Sequence, residues 1–169
     1  MVFLPRTMIE SSGSYEFAME PMTDDLIAEL KPLHRAHWQE TEAYRHGQVL
    51  DPAYDVFQAL NQVGRFVVFT VRRAGELVGN CMLHLFESLH TRQLEAKEDT
   101  IFIAPAHRVP RLAIRFIAYC ERCITTIGAR AVTLTAKFGT RSERLFSMIG
   151  YRQVAIEYHK TLGGTDVLA

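Results

Sequence analysis

The segment from Thr100 to Ala113 holds the densest chemistry in the sequence. An apolar, strand-like run ends at Ile103-Ala104-Pro105 and passes directly into Ala106-His107-Arg108-Val109-Pro110-Arg111-Leu112-Ala113, where a helical pattern begins. A strand that turns straight into a helix leaves the first N–H groups of the helix without partners, and the helix dipole adds partial positive charge there. That is a seat for an anionic phosphate, and Arg108 and Arg111 place guanidinium groups beside it. The bland alternative is a plain strand–helix turn with solvated arginines. Glu98 and Asp99 stand at the start of the same strand. A carboxylate beside an amine can take its proton. Regular alternation sets Glu98 on the face of Thr100 and Phe102, and Asp99 on the face of Ile101 and Ile103. One of the two is expected to face a pocket, where apolar neighbours would raise its pKa and suit it as a base; the alternative is a solvated strand end.

Other candidates lie upstream. His84 and His90, on or just after the preceding strand, titrate near neutrality and are candidates for acid–base work or for structural hydrogen bonds. His34, His37, Trp38, Glu40 and Tyr44 fall in one helical region. His37 with Glu40, and Glu40 with Tyr44, share a helix face. They read either as a wall of an acceptor site or as a Trp38 core anchor with solvated neighbours. His34 and His37 lack a third ligand, so no metal site is expected.

The elements that must position these residues follow from periodicity. A short strand is predicted over Tyr15 to Met19. Thr23 reads as an N-cap, with Asp24 and Asp25 in the first turn of a helix that Pro32 should kink or divide. A second helix spans Pro52 to Val63 and stops at Gly64. Phe66 to Arg72 and Leu77 to Phe86 form a hairpin around Ala74-Gly75-Glu76, with Gly79 marking a bulge. Thr100 to Ile103 is a third strand. A helix runs from Arg108 to Ile127 and stops at Gly128. Then come a strand from Ala131 to Lys137, a short helix from Ser142 to Ile149, and a last strand from Val154 to Lys160. No repeat or linker is visible. The reading is one mixed α/β (α+β) domain over residues 1–162 with a tail at 163–169.

Composition narrows the classes. The chain has 169 residues, 48% hydrophobic and 22% charged, ordinary for one globular domain. Lys plus Arg and Asp plus Glu both number 19, so the formal charge is zero and a strongly basic nucleic-acid wrapper is disfavoured. A local patch from Arg65, Arg72, Arg73, Arg92, Arg141, Arg144 and Arg152 keeps DNA as a partner that is possible but not favoured. No apolar run suits a bilayer, and Met1 to Pro5 is too short for a signal segment. Cys81, Cys120 and Cys123 read as buried thiols. The C-x-x-C pair lies in an apolar helical pattern without a second Cys/His pair, which points to a reducing cytosol.

A second segment completes a pattern: Leu145-Phe146-x-x-x-Gly150-Tyr151, after one strand and before the last. With Ile103, Pro105, Arg108 and Ala113 it resembles the GNAT N-acetyltransferase superfamily, whose strand end in apolar-x-Pro leads to Arg/Gln-x-x-Gly-x-Gly/Ala and later to Leu-Tyr-x-x-x-Gly-Phe. The element order agrees from about residue 12 to 162. The resemblance is closer to a subgroup encoded by bacteriophages and prophages. It rests there on His37-Trp38-x-Glu40, Leu50-Asp51-Pro52, Gly75-x-Leu77-Val78-Gly79, Glu98-Asp99-Thr100, Pro105-x-His107-Arg108, Gly150-Tyr151 and Tyr158-x-Lys160-x-Leu162.

The resemblance implies a twisted, mostly antiparallel sheet, with helices on both faces and a V-shaped splay between two central parallel strands. It implies acetyl-CoA, without metal, lying in that splay. The strand backbone at Ile101, Phe102 and Ile103 would hold pantetheine, and the turn of Arg108, Val109, Arg111, Leu112 and Ala113 would hold the diphosphate, with Phe146 in the later segment. The implied reaction is direct attack of an amine, on a small molecule or a protein, upon the thioester. Glu98, Asp99 or His84 is the candidate base, and His37, Trp38, Glu40 and His90 are candidate acceptor contacts. The implied protein works in the cytoplasm (the bacterial host's, if phage-encoded) as a possible homodimer. Two positions depart from the pattern. Arg111 replaces the first family glycine, while Pro110 removes an N–H donor. Phe146 replaces a tyrosine that protonates the leaving thiolate, leaving Tyr151, Tyr158 or water for that task. A base-modifying enzyme acting on DNA and a non-catalytic virion or inhibitor protein are the alternatives on this fold.

Overall fold

Alternation of apolar side chains builds the sheet. In the computed structural model the described residues are 8–41 and 49–158, and the chain divides into two compact units, residues 1–135 and 136–169. The first unit contains β1 (Ile9–Ser12), β2 (Tyr15–Glu20), α1 (Asp24–Thr41), α2 (Tyr54–Gln62), β3 (Phe66–Arg73), β4 (Glu76–Glu87), β5 (Leu94–Ile103), a 3-10 turn (Pro105–His107), α3 (Leu112–Ile127) and β6 (Ala131–Thr133). The strands form one six-stranded sheet in sequence order. All neighbours are antiparallel except β5 and β6, which are parallel.

Each face of the sheet carries its own core. Val67, Phe69 and Val71 of β3 pack with Cys81 and Leu83 of β4 against Phe116, Tyr119 and Cys123 of α3. The intervening Phe66 and Val68, with Met82 and Phe102, pack against Leu26, Leu30 and Leu33 of α1. Period-two alternation thus assigns one helix layer to each side. Cys81, Cys120 and Cys123 are buried free thiols, the last two as the apolar helical pattern implied.

Helix signals were legible, with corrections. Thr23 caps α1 by accepting the Leu26 N–H at 3.2 Å. Pro32 lies inside α1 without ending it. Its missing N–H frees only the Ala28 carbonyl, and both residues are exposed, so solvent can serve that oxygen. α3 begins at Leu112 rather than Arg108, because Arg111 turns the chain with a left-handed φ of 63°. It stops at Gly128, as expected. β5 reaches back to Leu94, not merely Thr100, because the long β4 offers it a partner down to Glu87. β6 ends at Thr133 rather than Lys137. No helix among the described residues is long and apolar enough to cross a membrane.

The second unit contains α4 (Arg141–Met148). The Thr140 hydroxyl caps it by accepting the Glu143 N–H at 3.4 Å. The last predicted strand is not formed over residues 154–158, and residues 159–160 lie outside the described residues, as does the expected tail. Val154, Ile156 and Tyr158 alternate as a strand would, yet remain 84%, 54% and 89% exposed. Alternation names the side chains a strand would bury but supplies no partner to bury them.

Candidate active site

The site grows from irregularities in β4 and β5. Met82 pairs with Thr100 and the next residue, Leu83, pairs with Glu98, so Asp99 is an extra, unopposed residue. This β-bulge overturns the regular alternation expected for Glu98 and Asp99. Glu98 joins Leu83 on the α3 side, and its carboxylate accepts the Thr135 N–H at 3.1 Å. Asp99 and Thr100 both face the α1 side and line one cavity. A second bulge leaves Val78 unopposed beside Gly79, where an added Cβ would stand 2.9 Å from the Phe102 carbonyl oxygen. The glycine marks both a bulge and a close approach of backbones.

β5 and β6 pair only from Glu95–Ala131 to Lys97–Thr133. Beyond that point a side chain, Glu98, takes the Thr135 N–H in place of a main-chain partner. The rest of β5 therefore has an open edge among the described residues. Ala104 N–H donates to Val78 O on the β4 side at 2.9 Å. By strand alternation, the peptide groups of Ile103 and Ile101 point to the open edge. Phe102, buried at 4% exposure, instead lies under the His37 ring, whose centroid is 5.2 Å away.

The turn into α3 is partly self-satisfied. His107, Arg108, Val109 and Leu112 N–H groups find carbonyls within the turn, Leu112 donating to Val109 O at 3.2 Å. Among the described residues, the amides of Arg111, Ala113 and Ile114 have no backbone acceptor, so donors remain at the helix mouth. Arg111 adopts the left-handed backbone that a glycine would favour, and its side chain is exposed. Arg108 is committed elsewhere. Its Nε donates to Ile103 O at 2.8 Å, and Nη1 and Nη2 grip the Glu40 carboxylate at 2.9 and 2.7 Å. The guanidinium also lies 5.2 Å from the Phe102 ring centroid. This fork holds the Glu40 carboxyl below its usual pKa, so Glu40 serves as a tie between α1 and the turn rather than as cavity lining.

The cavity, about 470 Å³, is bounded by α1, residues 49–52, α2, β4 and β5. His37 and Trp38 line it, as an acceptor wall requires, and so do His34, Leu50, Asp51, Phe57, Met82, Asp99 and Thr100. His37 Nδ1 is 2.8 Å from Thr100 Oγ1. His84 Nε2 lies 3.5 Å from Asp99 Oδ1. Burial raises the Asp99 pKa, and the nearby His84 only partly opposes that rise. His90 is exposed in the β4–β5 turn and does not line the cavity. Tyr44 lies outside the described residues. In the second unit, Phe146 is buried on α4 and its ring is 5.7 Å from that of Tyr151. Among the described residues no three metal-ligating side chains gather. Of the arginines proposed for DNA, Arg72 is gripped by Glu20 and Glu29, and Arg92 pairs with Glu87.

No family profile matches the sequence, and no curated protein matches it. Solved structures do match in fold. An aminoglycoside acetyltransferase from an uncultured soil metagenomic sample, bound to sisomicin, aligns with a TM-score of 0.71 at 14% identity, over 88% of this chain and 97% of its own. The fold is that of the GNAT acetyltransferases. A ribosomal-protein-alanine N-acetyltransferase from Brucella melitensis biovar Abortus 2308 aligns at 0.67 and 17% identity, over 88% and 99% of the two chains. AAC(6')-Iy, bound to the bisubstrate analogue CoA-S-monomethyl-acetylneamine, aligns at 0.66 and 17%, over 88% and 99%. Within this GNAT fold, the opening between β5 and β6 lies where the resemblance implied a splay.

Proposed function

We propose that the protein is an acetyl-CoA-dependent N-acetyltransferase acting on an amine held in the cavity under α1. One observation carries this reading: β5 bears an open edge at Ile101 and Ile103, leads into a helix mouth with unclaimed amides, and presents Asp99, with His84 of β4 beside it, to a cavity that Asp99 lines and His84 does not. The free donors fit a diphosphate and the open edge fits an amide-bearing arm, so the residues present suit the cofactor. The peptide groups of Ile101 and Ile103 would hold the pantetheine arm. The amides of Arg111, Ala113 and Ile114, with the Arg111 guanidinium, would hold the diphosphate. Phe102, Val109 and Leu112 shape that seat, while Arg108 braces it by holding Ile103 O and Glu40.

Acetyl-CoA, when bound, supplies an activated acetyl thioester. The chain's own residues prepare the amine. Asp99 accepts its proton at the carboxylate, the raised pKa making that oxygen a stronger base than a solvated aspartate. His84, beside it, stabilises the ionised form and offers a route for the proton to solvent. His37 and Trp38 position the acceptor. Phe146 has no proton to donate; in the second unit its ring packs against that of Tyr151, which the resemblance leaves, with Tyr158 and water, as a candidate for protonating the leaving thiolate. The ordered motifs from His37-Trp38 to Tyr158-x-Lys160 support placing the chain with the phage- and prophage-encoded subgroup, working in a bacterial cytoplasm. The ion pairs of Arg72 and Arg92 weaken the DNA alternative.

Calorimetry with acetyl-CoA tests the reading. The expected result is saturable binding, weakened by Arg111→Ala, with thiol release once an acceptor amine is added. Absence of binding at millimolar acetyl-CoA overturns it.

A further inference from the structure

His34 is the most conspicuous group that the acetyl-transfer reading does not use. It is 7% exposed, sits in the Leu26–Leu30–Leu33 stripe of α1, and lines the cavity. Its Nδ1 is 2.9 Å from the Tyr54 hydroxyl, and the two rings stack at 5.7 Å. Its Nε2 is buried without a hydrogen-bond partner among the described residues. Burial, with the neighbouring His37, pushes its pKa down to about 4, so the ring is neutral at pH 7. A neutral imidazole has one donor and one acceptor nitrogen. Tyr54 takes one of them, and a buried polar atom left unpaired is costly. A ligand hydroxyl, which both donates and accepts, satisfies Nε2 in either tautomer.

The rest of the cavity sets the ligand's other features. Its volume of about 470 Å³ is that of a small-molecule site. Trp38, Phe57 and Met82 give it apolar walls. Among the described residues, Asp51 and Asp99 are the carboxylates that line it, and no lysine or arginine does. One ammonium at the acidic side is matched; the further ammonium groups of a polycation would face apolar walls.

We infer that the cavity binds a small primary amine with an aryl or alkyl body and a hydroxyl at its far end, and that His34 Nε2 reads that hydroxyl. This names the acceptor class for the proposed transfer and rests on that reading for the amine's fate, but the binding stands on the cavity alone. His34 is a specificity-determining residue, distinct from the Asp99–His84 pair.

The test uses tyramine against phenethylamine, which lacks the hydroxyl, on the full chain with and without CoA. Wild-type protein should bind tyramine about tenfold more tightly. In His34→Leu the two affinities should fall within about twofold of each other, with phenethylamine binding retained. Nitrogen-15 NMR of the wild-type histidines covers the case in which that variant does not fold: tyramine, not phenethylamine, should move the His34 Nε2 resonance. Equal wild-type affinities, a preference that survives in His34→Leu, an unmoved Nε2 resonance, or tighter binding of spermidine than of tyramine each overturns the inference. Acetyl-CoA binding measured in parallel separates the two readings. Cofactor binding without amine binding sinks this inference alone; amine binding without cofactor binding sinks the transfer reading alone.

Discussion

Replacing Gly79 by alanine tests how tightly β4 and β5 approach beside the open edge. The new Cβ would stand 2.9 Å from Phe102 O, 3.1 Å from Ile103 Cγ1 and 3.3 Å from Ile103 Cα. Two of these are backbone atoms, so no rotamer change relieves them, and β5 must shift by a few tenths of an ångström. Overpacking of this kind costs about 1–3 kcal/mol. The stiffer unfolded chain returns roughly 0.4–1 kcal/mol of that. The net loss is about 1–2 kcal/mol, or a fall in Tm of roughly 2–8 °C at about 2–4 °C per kcal/mol. Urea denaturation and thermal melting measure it. The shift should also carry Ile103, raising the Kd for acetyl-CoA. Gly13→Ala is the comparison. It strains a left-handed turn at φ +66°, with nothing within 4 Å of the new Cβ. It should cost about 1 kcal/mol of stability without moving that Kd. A Gly79→Ala protein as stable as its parent refutes the close approach. A destabilised one with unchanged cofactor affinity refutes the seat at Ile103.

Asp99→Asn should lower acetyl transfer by about a hundredfold or more. Because burial raises the Asp99 pKa, its ionised form opposes folding once the pH climbs above 3.8, so the same variant should gain stability at pH 7. Loss of both stability and turnover would point to a structural carboxylate instead. Arg111→Gly should gain up to about 1 kcal/mol in denaturant unfolding, since glycine adopts a φ of 63° without strain, while raising the Kd for acetyl-CoA. Unchanged affinity would remove that guanidinium from the diphosphate seat. His34, with its pKa depressed from 6.5 to about 4, contributes stability that is fully present above pH 6.5 and fades as the pH falls through 4. Its share of the loss is about 3 kcal/mol, and the acid limb of the stability curve should flatten by that amount in His34→Leu.

Much of the scaffold is local in origin and therefore legible. Phe66 to Arg72 alternates between two cores, Thr23 caps its helix, and Gly128 ends another, each specified by residues within a turn or two. Gly79 announced a bulge, and its close approach to the Phe102 carbonyl came to light only in the structure. What the sequence hid is non-local. Arg108 looked like a phosphate ligand because its carboxylate partner, Glu40, is 68 residues away, and nothing near either residue marks the pairing. Glu98 and Asp99 were assigned faces by strict alternation, which holds only while a strand has no extra residue. The sequence Glu98-Asp99-Thr100 does not say which one is surplus; the register against Met82 and Leu83 decides it. Asp51, Phe57 and Met82 entered the cavity from elements whose approach no local pattern encodes, although Leu50-Asp51-Pro52 had stood out as a motif. The burial of His34 could have been foreseen from its place in a leucine stripe. Its lone nitrogen could not.

The surplus residue in β5 has a consequence for how the chain tolerates change. Neighbouring acids that look interchangeable have become specialists: one staples the diverging strands, the other serves the hollow on the far side. Swapping Glu98 with Asp99 keeps charge and composition yet leaves each task to a side chain of the wrong reach. Deleting either one removes the irregularity: the remaining acid falls opposite Leu83, next to Thr100 opposite Met82, the rest of β5 keeps its faces, and the side chain that served the cavity has no place left. Drift through this stretch is therefore confined to conservative steps in place, and insertions or deletions at residues 98–100 should be far less tolerated than in the exposed turn at 88–92.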